Sequence, residues 1–314
     1  MAAALRIGQH VQGNLGRYCL STKLHETVWT AIESQSSKKI ILKSAPPQRL
    51  DNELRVLQKF ENRLGIRRLV DQVQQPPLLV LQYLDSNLLA ESHSTPLSGP
   101  ELKKVARTVL QALQALHSEG YVHTDVKPDN ILVNNNRDAK SFSEVVLGDY
   151  GDTYHMDTTA DPNEDGHIIG AAIFRSPEAM FNLRWGPPTD IWSFGVTLIS
   201  LIWGKGWHIF KPTGVDPADD AYPVRILMNH VNFFGPFPGK FNELVPDEER
   251  QGMVAKLNDY FQSLGPGVRK PFAQAEDAVL SVETRSFLCR ILKLDPRDRP
   301  TASELLEDEW FNEA

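Results

Sequence analysis

The run His123-Thr124-Asp125-Val126-Lys127-Pro128-Asp129-Asn130 sets a carboxylate, a cation and a neutral amide within six positions, directly ahead of the apolar triplet Ile131-Leu132-Val133. Asp125 supplies a base able to accept a hydroxyl proton. Lys127 supplies a charge able to neutralise a phosphate in transit, and Asn130 a hard oxygen ligand for a divalent cation. On its own such a run reads as a polar surface loop. Four residue types at fixed spacing ahead of a strand make the chemical reading the stronger one.

Such groups need elements that position them. Tyr18-Cys19-Leu20, Thr27 to Ile32 and Lys39-Ile40-Ile41-Leu42-Lys43 are β-branched or aromatic and bounded by polar residues, which predicts a small antiparallel sheet. Leu54, Leu57 and Phe60 share a helical face after Asp51, which is placed to cap the first turn. Leu78 to Leu84 reads as a buried strand running into a connector at Asp85-Ser86-Asn87. From Ser98 the spacing of Leu102, Val105, Val109, Leu110, Leu113 and Leu116 is helical, and Gly120 stops the run. Further helices are predicted over Asp190 to Trp203 and Thr284 to Leu294. The sequence shows no repeat of fixed period.

The Asp125 segment resembles the catalytic loop of eukaryotic-type protein kinases, H-x-D-x-K-x-x-N, and further segments follow in the order of that family. Asp149-Tyr150-Gly151, by itself a simple turn, resembles Asp-Phe-Gly. Phe174-Arg175-Ser176-Pro177-Glu178 resembles the end of an activation segment, and Asp190-Ile191-Trp192-Ser193-Phe194-Gly195 the start of the central helix. The resemblance covers about Tyr18 to Trp310 and implies an α+β, bilobal protein kinase fold: a small antiparallel β-sheet lobe with one helix, then a larger, mainly helical lobe. The implied organisation is an N-terminal extension over 1–17, the small lobe over 18–84 and the large lobe over 85–314, with an insertion of short helices at about 204–275.

The same resemblance implies ATP and Mg2+ as cofactors and assigns roles. Asp125 and Lys127 are catalytic, and Asn130 and Asp149 hold magnesium. Lys43, oriented by Glu53, meets the phosphates; Val28, fifteen positions before Lys43, forms the roof of the base site with Ile41. Leu81 is the gatekeeper, the backbones of Gln82 and Leu84 meet the adenine edge, and Leu132 lies beneath the ring. Arg299 pairs with Glu178, and Asp190 is structural. Lys127 implies the serine/threonine type. His-Thr-Asp, Arg175 and the insertion resemble the CMGC group and, within it, the SR-protein kinase-like branch.

The chain departs from the family in several places. Ser21, Lys23 and Glu26 stand where three glycines let backbone amides approach phosphate. Ile41 replaces a small roof residue, Thr124 replaces an arginine that receives an activating phosphate, and Ala171 replaces a threonine. Asp152, Asp157, Asp161, Glu164 and Asp165 are either plain solvated charge or a complement to a basic, Arg-rich protein substrate. Two readings stand side by side: a protein serine/threonine kinase, and a pseudokinase acting as a scaffold or allosteric binding module. A kinase-like enzyme acting on a small molecule is a third, disfavoured by Ser176-Pro177-Glu178, Asp190 and Arg299.

Composition narrows the partners. With 33 Lys+Arg against 40 Asp+Glu, the formal charge of −7 disfavours nonspecific affinity for nucleic acid or an anionic membrane. The apolar content of 41% is that of a globular protein with a core. The longest apolar stretch, Phe194 to Trp203, is too short to span a bilayer. Two distant cysteines, Cys19 and Cys289, and a start without a secretory pattern predict a reducing compartment, cytoplasmic or nuclear.

Overall fold

Alternation decides the first part of the chain. Tyr18 and Leu20, Trp29 and Ala31, Ile40 and Leu42, and Leu78 and Val80 each lie two apart, so they project to one side of their strands and are buried together with Val11 and Val73. The computed structural model describes residues 5–136, 141–156, 166–265 and 267–312. Asp157, Asp161, Glu164 and Asp165 of the acidic segment lie outside the described residues.

The elements run in order as β1 (His10–Gln12), β2 (Arg17–His25), β3 (Val28–Glu33), β4 (Lys39–Lys43), α1 (Pro47–Lys59), β5 (Leu69–Val73) and β6 (Leu78–Gln82). They continue as β7 (Ser86–Asn87), α2 (Leu88–Ser94), α3 (Gly99–His117), β8 (Tyr121–Val122), β9 (Ile131–Asn135), β10 (Phe142–Leu147) and β11 (Tyr154–His155). The remaining helices are α4 (Pro177–Met180), α5 (Pro187–Trp203), α6 (Ala221–Phe234), α7 (Glu248–Ser263), α8 (Val282–Ile291) and α9 (Ala302–Leu306). No helix among the described residues is long and apolar enough to cross a membrane.

The chain divides into two compact units. The first comprises the residues up to Ser86 together with Leu132–Thr153, and the second comprises Asn87–Ile131 with the residues from Tyr154 onward. The boundaries 18–84 and 85–314 put Leu132–Thr153 with the helical region. Its backbone instead joins the first unit, because Leu147 N–H donates to the Gly65 carbonyl and the Arg67 N–H donates to the Leu147 carbonyl. Likewise β1, inside the stretch read as an extension, pairs antiparallel with β2.

In the first unit the six strands are ordered β1-β2-β3-β4-β6-β5. Register aligns Val28 with Lys43 and Lys43 with Leu79, and aligns Thr30 with Ile41 and Ile41 with Leu81. These residues therefore share the face opposite the packed core. Helix α1 packs near β5 and β6 and buries Leu50, Glu53, Val56 and Leu57. It begins at Pro47, not at Asp51: proline needs no N–H donor in the first turn and its fixed φ suits the helix, which leaves Asp51 exposed inside it.

The second unit is organised around α5, buried continuously from Thr189 to Ile202, as expected of a helix apolar on all sides. Helix α3 lays the face of Leu102, Val105, Val109, Leu113 and Leu116 against α5 and α9. The 204–275 stretch holds α6 and α7, of 14 and 16 residues, in place of the short helices expected there. Trp192 of α5 stacks on Phe210 at 5.5 Å. The His230 ring meets Phe210 at 4.3 Å and Trp192 at 4.9 Å.

Glu178 and Arg299 form a buried two-pronged pair at 2.7 and 2.8 Å, and Arg299 also donates to the carbonyls of Pro188, Lys293 and Leu294. Removing the carboxylate strands a desolvated guanidinium. Glu178→Ala is expected to destabilise the fold by about 3–5 kcal/mol, read as a lowered urea midpoint. Burial, with help from the Arg299 charge, lowers His230 from 6.5 to about 3. Between those values the unfolded chain takes up a proton that the folded chain refuses, so stability falls as pH drops. The expected slope from this group is up to about 1.4 kcal/mol per pH unit, and His230→Leu should remove it from an acid unfolding series.

Candidate active site

Lys43 ends β4 on the face it shares with Ile41, and its neighbours fix its ammonium group. Nζ lies 2.6 Å from Glu53 Oε2 and 2.7 Å from Asp149 Oδ1. Glu53 reaches the lysine because it sits on the buried face of α1, where it is almost completely shielded. Asp149 follows β10 and takes a left-handed φ of 61°, uncommon for a residue with a side chain. Asn52, one residue before Glu53, donates to the carbonyls of Gly151 (3.1 Å) and Thr153 (2.7 Å), so α1 holds both the lysine and the turn after Asp149. Tyr150 is buried; its hydroxyl donates to the Leu147 carbonyl at 3.1 Å, and burial pushes that hydroxyl well above its ordinary pKa.

The residues expected around a base fall in the same unit. Val28, Ile41 and Leu81 lie on the Lys43 face, Leu132 is half-buried on β9, and Gln82 and Leu84 close β6 and begin the connector. Gln82 fixes its side chain by donating to Glu144 Oε1 at 2.8 Å. Sequence reasoning missed Arg67. Its guanidinium donates to the Gln82 carbonyl from Nε (3.0 Å) and Nη2 (2.7 Å). Burial lowers it from 12.5 to about 10, opposed by the negative charges of Glu53 and Asp149. The sequence offers little signal, because Arg67 stands beside Arg68 in a basic pair that reads as solvated charge.

Where the family has glycines, β2 and β3 form a hairpin that turns at Glu26 and Thr27, with register shifts between Leu20 and Thr22 and between Lys23 and His25. The Lys23 ammonium rests 5.9 Å from the Trp29 ring centroid, and the Ser21 hydroxyl is 2.7 Å from that of Thr30. Ser21, Lys23 and Glu26 are all exposed.

In the second unit Asp125 is the centre of a knot. Its Oδ2 lies 2.9 Å from Lys127 Nζ and accepts from Asn130 Nδ2 at 2.9 Å, and the same amide donates to the Asp125 carbonyl at 2.8 Å. With its nitrogen so committed, Asn130 presents its amide oxygen, a hard ligand of the kind magnesium takes. Asp149 in the first unit offers the same chemistry through a carboxylate. The loop backbone is hung from Asp190, which is fully buried: His123 N–H donates to its Oδ2 (2.7 Å) and Thr124 N–H to its Oδ1 (2.9 Å). His117 of α3, also missed from the sequence, meets Oδ2 through Nε2 at 3.0 Å. Thr124 is held with φ at 71°, again left-handed.

Arg175 donates to the carbonyls of Ile169 (2.6 Å) and Gly170 (2.8 Å); burial lowers its pKa, while the negative charge of Asp125 acts the other way. Gly170 has φ of 54°, and a Cβ there would come within 2.5 Å of the Thr124 carbonyl. Ala171 is half-buried just before a single helical turn over Ala172–Phe174.

Comparison with known proteins agrees with this geometry. The chain is 27% identical over 225 residues to the serine/threonine-protein kinase US3 homolog of Varicella-zoster virus (strain Dumas), covering 71% of this chain. It spans about half, 53%, of that relative's length. The model of the protein kinase domain matches residues 7–311, which contain both the Lys43 cluster and the Asp125 knot, and the chain belongs to that family.

Proposed function

We propose that the chain is a protein serine/threonine kinase that transfers the γ-phosphoryl group of Mg-ATP to a Ser or Thr hydroxyl of a protein substrate. The observation that carries this reading is the hold on Lys43 by Glu53 and Asp149 at 2.6 and 2.7 Å. An ammonium so fixed is prepared to meet phosphate oxygens without losing side-chain freedom on binding. In the second unit Asp125 orients the substrate hydroxyl and accepts its proton. Lys127 neutralises charge that develops on the transferred group, and Asn130 and Asp149 would each offer magnesium an oxygen ligand. Magnesium, when bound, draws charge from the phosphate oxygens and so stabilises the leaving diphosphate.

The narrower assignment is to the CMGC group and its SR-protein kinase-like branch, supported by Arg175 directly before Ser176-Pro177-Glu178 and by Thr124 in the catalytic run. A basic or Arg-rich substrate is supported by the acidic residues after Gly151. Asp152 is already engaged with Arg49 at 2.7 Å, so Asp161, Glu164 and Asp165 carry this preference. Their charge reversal is expected to slow phosphorylation of Arg-rich peptides and leave neutral peptides unaffected; an equal loss on both would overturn the preference.

Mg-ATP at a hundred times its dissociation constant should stabilise the protein by about 2.7 kcal/mol, visible as a raised melting temperature and absent in Lys43→Met and Asp149→Asn. A well-folded protein with no shift at millimolar ATP would point instead to the scaffold reading, which the side chains at Ser21, Lys23 and Glu26 favour. Asp125→Asn keeps the bonds to Asn130 but lacks the base. It is expected to retain the ATP-dependent melting shift while peptide phosphorylation falls by roughly 10²–10⁴-fold.

A further inference from the structure

The connector that follows β6 is anchored at both ends by one carboxylate. The backbone of Gln82 is committed to the 67–68 segment, its N–H to the Arg68 carbonyl and its carbonyl to the Arg67 guanidinium. Its side chain donates through Nε2 to Glu144 Oε1 at 2.8 Å. The other oxygen of Glu144, Oε2, accepts from Asn134 Nδ2 at 2.8 Å, and the Asn134 amide oxygen accepts in turn from the Asp85 N–H at 3.0 Å. Asp85 Oδ2 accepts from the Asn135 N–H at 3.4 Å. Glu144 on β10 thus joins two points of the connector, three residues apart, by way of β9. Between them Leu84 is buried, and its N–H and carbonyl have no hydrogen-bond partner among the described residues.

We propose that Glu144 is a positioning residue for the nucleotide: by fixing Gln82 and Asp85 it holds the Leu84 backbone groups in the orientation that meets adenine. This rests on the Mg-ATP reading, in which the connector lines the base. Only two residues separate the anchored positions, so releasing either anchor frees the peptide groups between them to turn. Both bonds to Glu144 are charge-assisted, and a donor that loses its acceptor at a half-buried site is costly to leave unpaired. A connector that spends less time in the competent orientation binds ATP more weakly in proportion. The rate of the bound complex is spared, because contacts to the base are the same before and during transfer.

Peptide phosphorylation over a range of Mg-ATP concentrations gives KM for ATP and kcat for the full chain as wild type, Glu144→Gln, Asn134→Asp and the double variant. Glu144→Gln exchanges one acceptor for a donor that faces an amide donor, and Asn134→Asp sets two carboxylates against each other. Each is expected to raise KM for ATP about tenfold with kcat unchanged, as when about a tenth of molecules hold the competent connector. In the double variant the glutamine at 144 still accepts from Gln82 and now donates to the aspartate at 134, which still accepts from the Asp85 N–H. Every bond is remade with one donor and one acceptor exchanged, so KM should return to within about twofold of wild type. If Glu144→Gln does not fold, Asn134→Asp against the double variant carries the same comparison. A lowered melting temperature with KM unmoved in the single variants, a KM that stays raised in the double variant, or a kcat that falls in step overturns the proposal and leaves the nucleotide reading standing. A wild-type chain that neither binds nor turns over Mg-ATP overturns that reading, and the proposal with it.

Discussion

An ammonium group shared by two carboxylates organises the first unit. Lys43 must sit on a strand face that the packed core does not claim. Glu53 must come from a helix docked on that face, and Asp149 must end a strand that pairs back to the Gly65–Arg67 segment. Each requirement constrains a different element: the β4 register, the phase of α1, and the hydrogen bonds that tie Leu147 to the sheet. One cation against two anions leaves an imbalance of charge, which the Arg67 guanidinium, interacting with both Glu53 and Asp149, offsets.

The second unit solves a related problem with backbone in place of charge. A loop carrying Asp125, Lys127 and Asn130 must be rigid, yet Thr124 is held in a conformation that costs about 1–3 kcal/mol for a residue with a Cβ. The buried Asp190 carboxylate compensates by accepting two backbone amides and meeting His117. Its helix is buried along nearly its whole length, so the loop is suspended from a deeply buried element of that unit. Glu178 of α4 and Arg299 make a second buried hold in that unit, a charged pair whose every donor has an acceptor.

Much of this was legible in the sequence, since spacing encodes what lies close along the chain. Asp125, Lys127 and Asn130 are local to one another, and the period-two alternation of Tyr18, Leu20, Ile40 and Leu42 fixes which strand face is buried. Long-range partners were harder to read. The role of Asp190 followed from resemblance, but its bond to His117, 73 residues away, leaves no local trace. The start of α1 differs from the expectation because Pro46-Pro47, rather than Asp51, opens the helix, its fixed φ suiting the first turn. Arg67 is illegible for a third reason: in the basic pair Arg67-Arg68 it reads as surface charge, and its carbonyl partner cannot be named without the fold.

Gly170 carries a consequence for how this protein tolerates change. Its missing side chain is what lets the segment before Phe174 lie against the Thr124 carbonyl, at a distance no Cβ would permit. An alanine there would alter no charge and no hydrogen-bonding group, yet it would wedge apart two strands of backbone and displace the carboxylate they frame. Genetic variation at this position would therefore act like a missing reactive group in a protein that still accumulates and keeps its core. Such an allele would be silent to any screen for misfolding and visible only to one that reads turnover.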